Sequence, residues 1–426
     1  TTDGIANVPN LGNYTVVELQ PPADLEASLV YYEALEGMMV KVSDAVAIAP
    51  INHFGEYALV QAAEGVTQVM RNDGQNGLMI FVDDGSTVRH EDSSTLPYVV
   101  AKGDLVSDVV GPLAYTFEQY KIEPLSTPLV LSKEIVLPAL AELAENQFSV
   151  ATFNVENLFD TAAPHPDDPP RPTAEQYATK LSKIVDAIVR LGAPTILAMQ
   201  EVENIAILEE LAAHELLTPF GYEAFLFEGT DSRGIDNGYL VRTAIATIED
   251  VEPIPAPEGL TSRPPLLLAV TITLGDAEQT VFLLNNHFTS MSGGEEATEP
   301  RRDAQAAWNV EILADIISDV EDPAVIVLGD LNSFYDAKPL DTLRAAGLQH
   351  VYEFVEAAGG TRPYTYIYQG AGQTLDHMLV TPNLYELLTS VTVLHINADY
   401  PFAAVDDLSA QHVSDHDPLI AIFTLE

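Results

Sequence analysis

The chain has 426 residues, 47% hydrophobic and 19% charged, which excludes a disordered chain and leaves room for roughly two or three domains with a sizeable core. It carries 64 acidic against 18 basic residues, a formal net charge of −46, and such a surface repels polyanions unless salt or local cations intervene. Cysteine is absent, which excludes disulfides and zinc–cysteine sites, and no apolar run approaches the roughly 18–20 residues of a membrane span.

Residues 1–28 are rich in Pro and Asn and are expected to be a linker or the remnant of an upstream module. The chain opens at Thr1, which suits a processed product whose signal peptide has been removed, hence an extracellular protein. From 29 to 130, short apolar stretches such as Met38–Val42, Tyr57–Val60, Leu78–Val82 and Asp104–Val106 alternate with turn signals at Asp73-Gly74 and Asp83-Asp84-Gly85. This pattern predicts a small all-β barrel, followed by a linker over 131–146. From Gln147 onward strand-like and helix-like segments alternate. Strands are expected at 148–153, 195–199, 266–274, 280–285, 324–328, 375–381 and 419–424, and helices at 177–191, 205–217 and 301–320. That order predicts stacked sheets flanked by helices over 147–426.

Polar clusters close several of these strands. Asn154 and Glu156 lie two apart in Phe153–Asp160 and share a face of a strand end. Glu201 ends a buried-looking strand, where an unpaired carboxylate costs several kcal/mol unless it meets a cation, and a hard divalent cation wants one or two such ligands. Glu203 nearby reads better as a helix first-turn acid. His287 follows Asn285-Asn286 and opens a Gly-containing loop, and Asp330 and Asn332 flank Leu331 after Gly329, which permits close backbone approach. Thr374-Leu375-Asp376-His377 and Ser414-Asp415-His416-Asp417 complete the set. A histidine that handles a water proton needs a carboxylate on its other nitrogen, which makes Asp376 the candidate partner of His416 and Asp415 a metal ligand. Each cluster alone also reads as a polar strand-to-loop turn. Five of the basic residues, Arg233, Arg263, Arg301, Arg302 and Arg362, fall in or near these loops, as expected of a phosphate-gripping site on an acidic body.

In their order, these clusters resemble the endonuclease/exonuclease/phosphatase superfamily over about 147–426. Asn285–Ser290, Arg302 to Ala306, Tyr364-Thr365-Tyr366, Leu375-Asp376-His377, His395–Asp399 and Ser414–Pro418 resemble its bacterial extracellular nucleases. Tyr32-Glu33, Gly37–Val40 and Phe54-Gly55-Glu56 resemble, more loosely, the oligonucleotide/oligosaccharide-binding-like domain that precedes the catalytic part there. The resemblance implies an α/β fold, a four-layer α/β sandwich of two packed sheets between helices, preceded by the small barrel. It implies that Glu201 binds the catalytic metal, Mg²⁺ or Mn²⁺, with Asn154, Glu156 and Asp415 near it. Asp330 and Asn332 would orient the attacking water and the phosphate, and His416, held by Asp376, would activate or steer that water. His287 would donate to the phosphate or leaving group, oriented by Asp236, while Arg233, Arg302 and Asn286 would bind substrate. Family nucleases often carry a lysine where Thr289 stands here.

The function expected is a secreted, metal-dependent phosphodiesterase acting on nucleic acid, DNA favoured over RNA, as a monomer. A phosphodiesterase of lipid head groups or small phosphoesters would sit more easily with the acidic surface. A non-catalytic surface-binding protein on the same fold is the alternative from another class.

Overall fold

The computed structural model describes residues 15–162 and 169–425. Of the expected 1–28 linker, 1–14 therefore lie outside the described residues, as do 163–168 and 426 of the expected 147–426 domain. The rest of that linker is ordered structure: Val17–Glu18 pairs in parallel with Val40 and Lys41, and Asp24 caps a helix over Leu25–Glu33 by accepting from the Ala27 amide. The chain divides into two compact units, one running to Glu134 and taking in Tyr368–Ala371 and Tyr400–Phe402, the other comprising the remainder.

In the first unit, strands β1 (Met39–Ala47), β2 (Tyr57–Gln61), β3 (Ile80–Val82), β4 (Leu105–Thr116) and β5 (Gln119–Ile122) close into a ring in the order β1-β2-β3-β5-β4-β1. All pairs are antiparallel except β3–β5, which is parallel. Closure removes the exposed edges that a five-stranded open sheet would leave. Alternation fills the interior: Val40 and Val42 are fully buried, as are Leu59 and Val82.

The second unit is built on two six-stranded sheets. One contains β6 (Gln147–Leu158), β7 (Ile196–Val202), β8 (Tyr222–Leu226), β9 (Asp236–Arg242), β16 (Leu388–Val393) and β17 (Leu419–Thr424) in the order β8-β9-β7-β6-β17-β16. The other contains β10 (Ala246–Pro253), β11 (Leu266–Leu274), β12 (Ala277–His287), β13 (Ala324–Asp330), β14 (Gln349–His350) and β15 (Asp376–Val380) in the order β10-β11-β12-β13-β15-β14. Successive side chains on a strand face opposite ways, and the core divides accordingly. Phe148, Val150, Ile196, Ala198, Leu283, Ile326 and Leu328 form one core between the sheets. Their strand neighbours Ala151, Phe153, Leu197 and Met199 meet Ile184, Val185 and Ile188 of helix α1 (Ala174–Arg190). On the far side Leu284, Val325 and Val327 meet Ile312 and Leu313 of helix α2 (Glu295–Asp319). The result is four layers, helix, sheet, sheet and helix, as expected. Helix α1 starts at a capping box in which Thr173 and Gln176 each satisfy the other's backbone amide. Helix α2 begins six residues before the expected Arg301 and carries Pro300 in its second turn, where a proline cannot donate to the carbonyl four residues back.

Candidate active site

The parallel strands of each sheet end at the same side of the sandwich, and their polar termini converge there. In the β12–β13–β15 ladder, His287 is in register with Asp330, and Asp330 with Asp376. One row of three adjacent strands thus supplies three of the expected site residues. Gly329, one step before, has φ 128°, and a Cβ there would lie 2.0 Å from the Asn286 carbonyl oxygen. Only glycine lets β12 and β13 approach at this point.

From the other sheet, Asn154 and Glu201 arrive at the ends of β6 and β7. The Asn154 amide donates to Asp330 Oδ2 at 3.0 Å and Glu201 Oε1 at 3.3 Å, and its oxygen accepts from the Glu156 amide at 3.0 Å. Through Asp330 and Glu201, Asn154 ties the two sheets together at the site. Below it, Gln200 donates to Asn285 at 2.7 Å across the core. The chain turns sharply at these strand ends: Glu156, Asn157, Glu201 and Asn332 all have φ between 43° and 65°. Left-handed backbone at non-glycine residues costs about 1–3 kcal/mol each and persists only where surrounding bonds enforce it. Here Glu201 Oε2 accepts from the Asn157 amide at 2.8 Å, and Asp330 Oδ1 accepts from the Asn332 amide at 2.9 Å. The Asn332 side chain also donates to Asp330 Oδ2 at 3.1 Å and to the Phe288 carbonyl at 3.2 Å.

His416 stands opposite. Its Nδ1 lies 2.7 Å from Asp376 Oδ2, and its Nε2 lies 3.9 Å from both Asp330 Oδ2 and Asp415 Oδ1. Burial works against its charged form, yet Asp376, Asp330 and Asp415 together hold its pKa well above the ordinary histidine value. His287 is the converse case. Burial, with Arg263, His416 and Arg233 nearby, holds it well below that value, so its ring is neutral. Its Nε2 faces Asp330 Oδ2 at 3.5 Å and Glu201 Oε1 at 3.7 Å.

The carboxylates fit a hard divalent cation. Burial, with Glu156 and Glu201 close by, pushes Asp415 up to about 7. The Asp415 side chain keeps 41% of its surface, so the crowding of like charge is the cause a bound cation would relieve. Glu201, Glu156 and Asp415 are oxygen donors of the kind Mg²⁺ and Mn²⁺ take. Asp330, Asp376 and His416 also converge, with one ligand atom each within 4.8 Å of the others. Within that group Asp376 Oδ2 and His416 Nδ1 form a carboxylate–histidine pair at 2.7 Å.

Several expected residues are placed otherwise. Asp236 does not orient His287: its Oδ1 accepts from the Gly229 amide at 2.8 Å, and His287 Nδ1 has no hydrogen-bond partner. Asn286 points away from the site, exchanging bonds of 2.9 and 3.0 Å with Asn309 of α2, because it alternates with Asn285 and His287 along the strand. Arg302 is buried and donates to Thr298 Oγ1 at 2.6 Å and the Glu295 carbonyl at 3.1 Å, clamping the first turns of α2. Arg302→Ala is therefore expected to cost about 1–3 kcal/mol of stability while leaving KM within about twofold, checked by thermal melts and steady-state kinetics. Arg362 is likewise committed, to Glu356 and the Tyr335 ring. Glu203 binds the Asp160 amide and Arg171.

Arg233 does reach the site rim, with Nη1 3.4 Å from Asn157 Oδ1 and 42% of its side chain exposed. Arg263, buried and anchored on the Phe288 carbonyl at 2.9 Å, adds a cation whose field acts on Glu201 and Asp330. Lys180 of α1 donates to the Glu156 carbonyl and neighbours Glu156, Glu201 and Asp415. In the sequence Arg263 is marked only as a loop arginine, and Lys180 carries no local signal in its helix. The Tyr366 ring lies 5.0 Å from that of His416.

Residues 149–398 match the family model described as the endonuclease/exonuclease/phosphatase family, and residues 8–134 match one described as a domain of unknown function. No curated protein matches the chain. Among solved structures, a humanized D. rerio TDP2 carrying 14 mutations is 17% identical, covers 66% of this chain and 99% of its own, and has a TM-score of 0.47. The human Nocturnin catalytic domain with bound sulfate is 16% identical over 67% of this chain and 97% of its own, with a TM-score of 0.45. An endonuclease/exonuclease/phosphatase from Bacteroides vulgatus is 16% identical over 66% and 99%, with a TM-score of 0.45. Because the family model spans more than half of its residues, the chain belongs to the endonuclease/exonuclease/phosphatase family, whose members are hydrolases of phosphoester bonds.

Proposed function

We propose that this protein is an extracellular, divalent-metal-dependent nuclease, acting on DNA in preference, that cleaves the phosphodiester by in-line attack of water. The observation that carries this reading is the meeting of His287, Asp330, Asn332 and the Asp376–His416 pair beside the Glu201, Glu156 and Asp415 carboxylates. A cation held by those three would neutralise charge on the phosphate and the leaving oxygen. Both nitrogens of His416 face carboxylate oxygens, which makes the ring a donor on both sides. It directs its Nε2–H at the phosphate, and Asp330 receives the proton of the attacking water. Asn332 and the left-handed turn hold Asp330 in place. Neutral His287 presents its Nε2–H to the phosphate or leaving group. Arg233 at the rim and Arg263 behind it provide local positive charge on an otherwise acidic body.

A five-stranded barrel is also the frame on which oligonucleotide/oligosaccharide-binding folds hold strands, and this barrel is proposed to hold the nucleic-acid strand. Failure of the isolated barrel to retain labelled single strands would reduce it to a spacer. Among the described residues no helix is long and apolar enough to cross a membrane. Secretion is tested by assaying culture medium against cell lysate of the native source.

The deciding experiment incubates the protein with supercoiled plasmid, single-stranded DNA, RNA and a sphingomyelin analogue, with Mg²⁺, Mn²⁺ or chelator. Chelator-sensitive nicking of plasmid supports the proposal. Turnover of the phospholipid analogue with every nucleic acid left intact would move the protein to the lipid and small-phosphoester branch, which the charge of −46 favours. Salt provides a further check. Activity is expected to persist or peak at elevated salt, because screening relieves repulsion between body and substrate. A steep monotonic fall from low salt would show that phosphate contacts with local cations dominate.

A further inference from the structure

Two fully buried histidines behind the site take no part in the chemistry proposed above. His350 Nε2 lies 2.9 Å from His377 Nδ1, His377 Nε2 lies 2.8 Å from the Ser333 carbonyl oxygen, and the Tyr352 amide donates to His350 Nδ1 at 3.1 Å. These partners dictate every proton. His350 Nδ1 accepts from an amide, so its proton is on Nε2. That proton is donated to His377 Nδ1, so the His377 proton is also on Nε2 and is donated to Ser333. Neither ring accommodates a second proton without setting two N–H groups against each other. The result is a one-way chain of hydrogen bonds from the Tyr352 backbone to the Ser333 carbonyl, with no ionic member.

The end of the chain matters because of what Ser333 follows. Asn332 is in the left-handed region at φ 43° and carries three of the bonds that hold Asp330 and the loop. The middle matters because His377 adjoins Asp376 on β15, and alternation sends the two side chains to opposite faces. Asp376 grips His416, and His377 grips the loop bearing Asn332. Tyr352, which begins the chain, also donates its hydroxyl to the Asp376 carbonyl at 3.1 Å.

We infer that His377 and His350 are positioning residues that couple the Asp376–His416 pair to the Asp330–Asn332 loop. The catalytic part of this inference rests on the function proposed above, whereas its structural part does not. The test compares His377→Leu, which cannot donate, with His377→Gln, whose Nε2 can. Hydrogen exchange of the backbone amides over 331–334 is read by mass spectrometry and needs no substrate. In His377→Leu it is expected to accelerate at least about 10-fold, with kcat on a phosphodiester falling at least about 10-fold and KM within about twofold. His377→Gln is expected to restore both. Unchanged loop exchange in His377→Leu would overturn the inference and leave the pair as core packing. If the wild-type protein cleaves no phosphodiester, the exchange result still decides the coupling, and it is the functional reading that fails. Should His377→Leu not fold, ¹⁵N-histidine spectra of the wild type decide: both rings must show neutral Nε2–H tautomers, and an Nδ1–H form at either overturns the chain.

Discussion

His416→Asn is expected to lower kcat for phosphodiester hydrolysis by about 100- to 10,000-fold, the usual worth of a positioned proton donor or acceptor. Asparagine is the informative replacement. Its side-chain amide can take the place of Nδ1 and donate to Asp376, which at 2.7 Å is the strongest bond His416 makes. What it removes is Nε2, the atom that faces Asp330 and Asp415. His416→Ala would also strand Asp376, whose other oxygen already has no hydrogen-bond partner. A buried unpaired carboxylate costs several kcal/mol, so lost activity there would be confounded with lost stability. The check is paired kinetics and melting curves. Wild-type kcat in a folded His416→Asn protein would remove His416 from the chemistry, and with it the role given to Asp376.

A second large effect is expected at Gly329, for a reason unconnected with chemistry. Gly329→Ala would place a methyl carbon 2.0 Å from the Asn286 carbonyl oxygen and 2.9 Å from its carbon, at a φ of 128° that L-residues avoid. Both atoms belong to the neighbouring strand backbone, which cannot rotate aside as a side chain would. The parallel pair β12–β13 must separate at the step before His287 meets Asp330. A loss of more than about 3 kcal/mol in stability follows, together with activity. Gly347→Ala is the control. It also has positive φ, but an added carbon there meets nothing within 4 Å, so only backbone strain of about 1–2 kcal/mol applies. Urea unfolding of the two variants separates close contact from strain. Equal losses would show that the strand approach at Gly329 is not tight.

Much of this arrangement was legible before the fold was known. Asn154, Glu201, His287 and Asp330 each end an apolar run, and runs of that length with turn residues beyond them read as buried strands. Polar residues at such ends are costly unless used. The spacing of 181, 184, 185 and 188 likewise marks the buried face of helix α1. The faces of the central strands were not legible. In a four-layer sandwich both sides of a strand are buried, and β12 is apolar or amide on both from Val281 onward. Alternation then carries no sign, and Asn286, which the resemblance implies binds substrate, gives its amide to Asn309.

Cations were the other blind spot. Arg302, Arg263 and Lys180 reach their partners through long flexible side chains, and nothing local to the chain says which loop lies at the far end. The same holds for Asp236 and His287, which the family resemblance offers as a pair, whereas Asp236 Oδ1 accepts from the Gly229 amide and His287 Nδ1 has no hydrogen-bond partner.

The sequence by itself determined where strands end in polar residues and that the donors at those ends are oxygen and imidazole, which are properties of composition and of local periodicity; the family entered through the resemblance of the ordered motifs and the matching family model. Only the tertiary structure decided which of those residues meet. The left-handed turns at Glu156, Glu201 and Asn332, the inter-sheet tie through Asn154 and the neutral histidine chain behind Asp376 all depend on contacts between strands far apart in the chain. Such contacts are set by packing and register, which no short stretch of residues encodes.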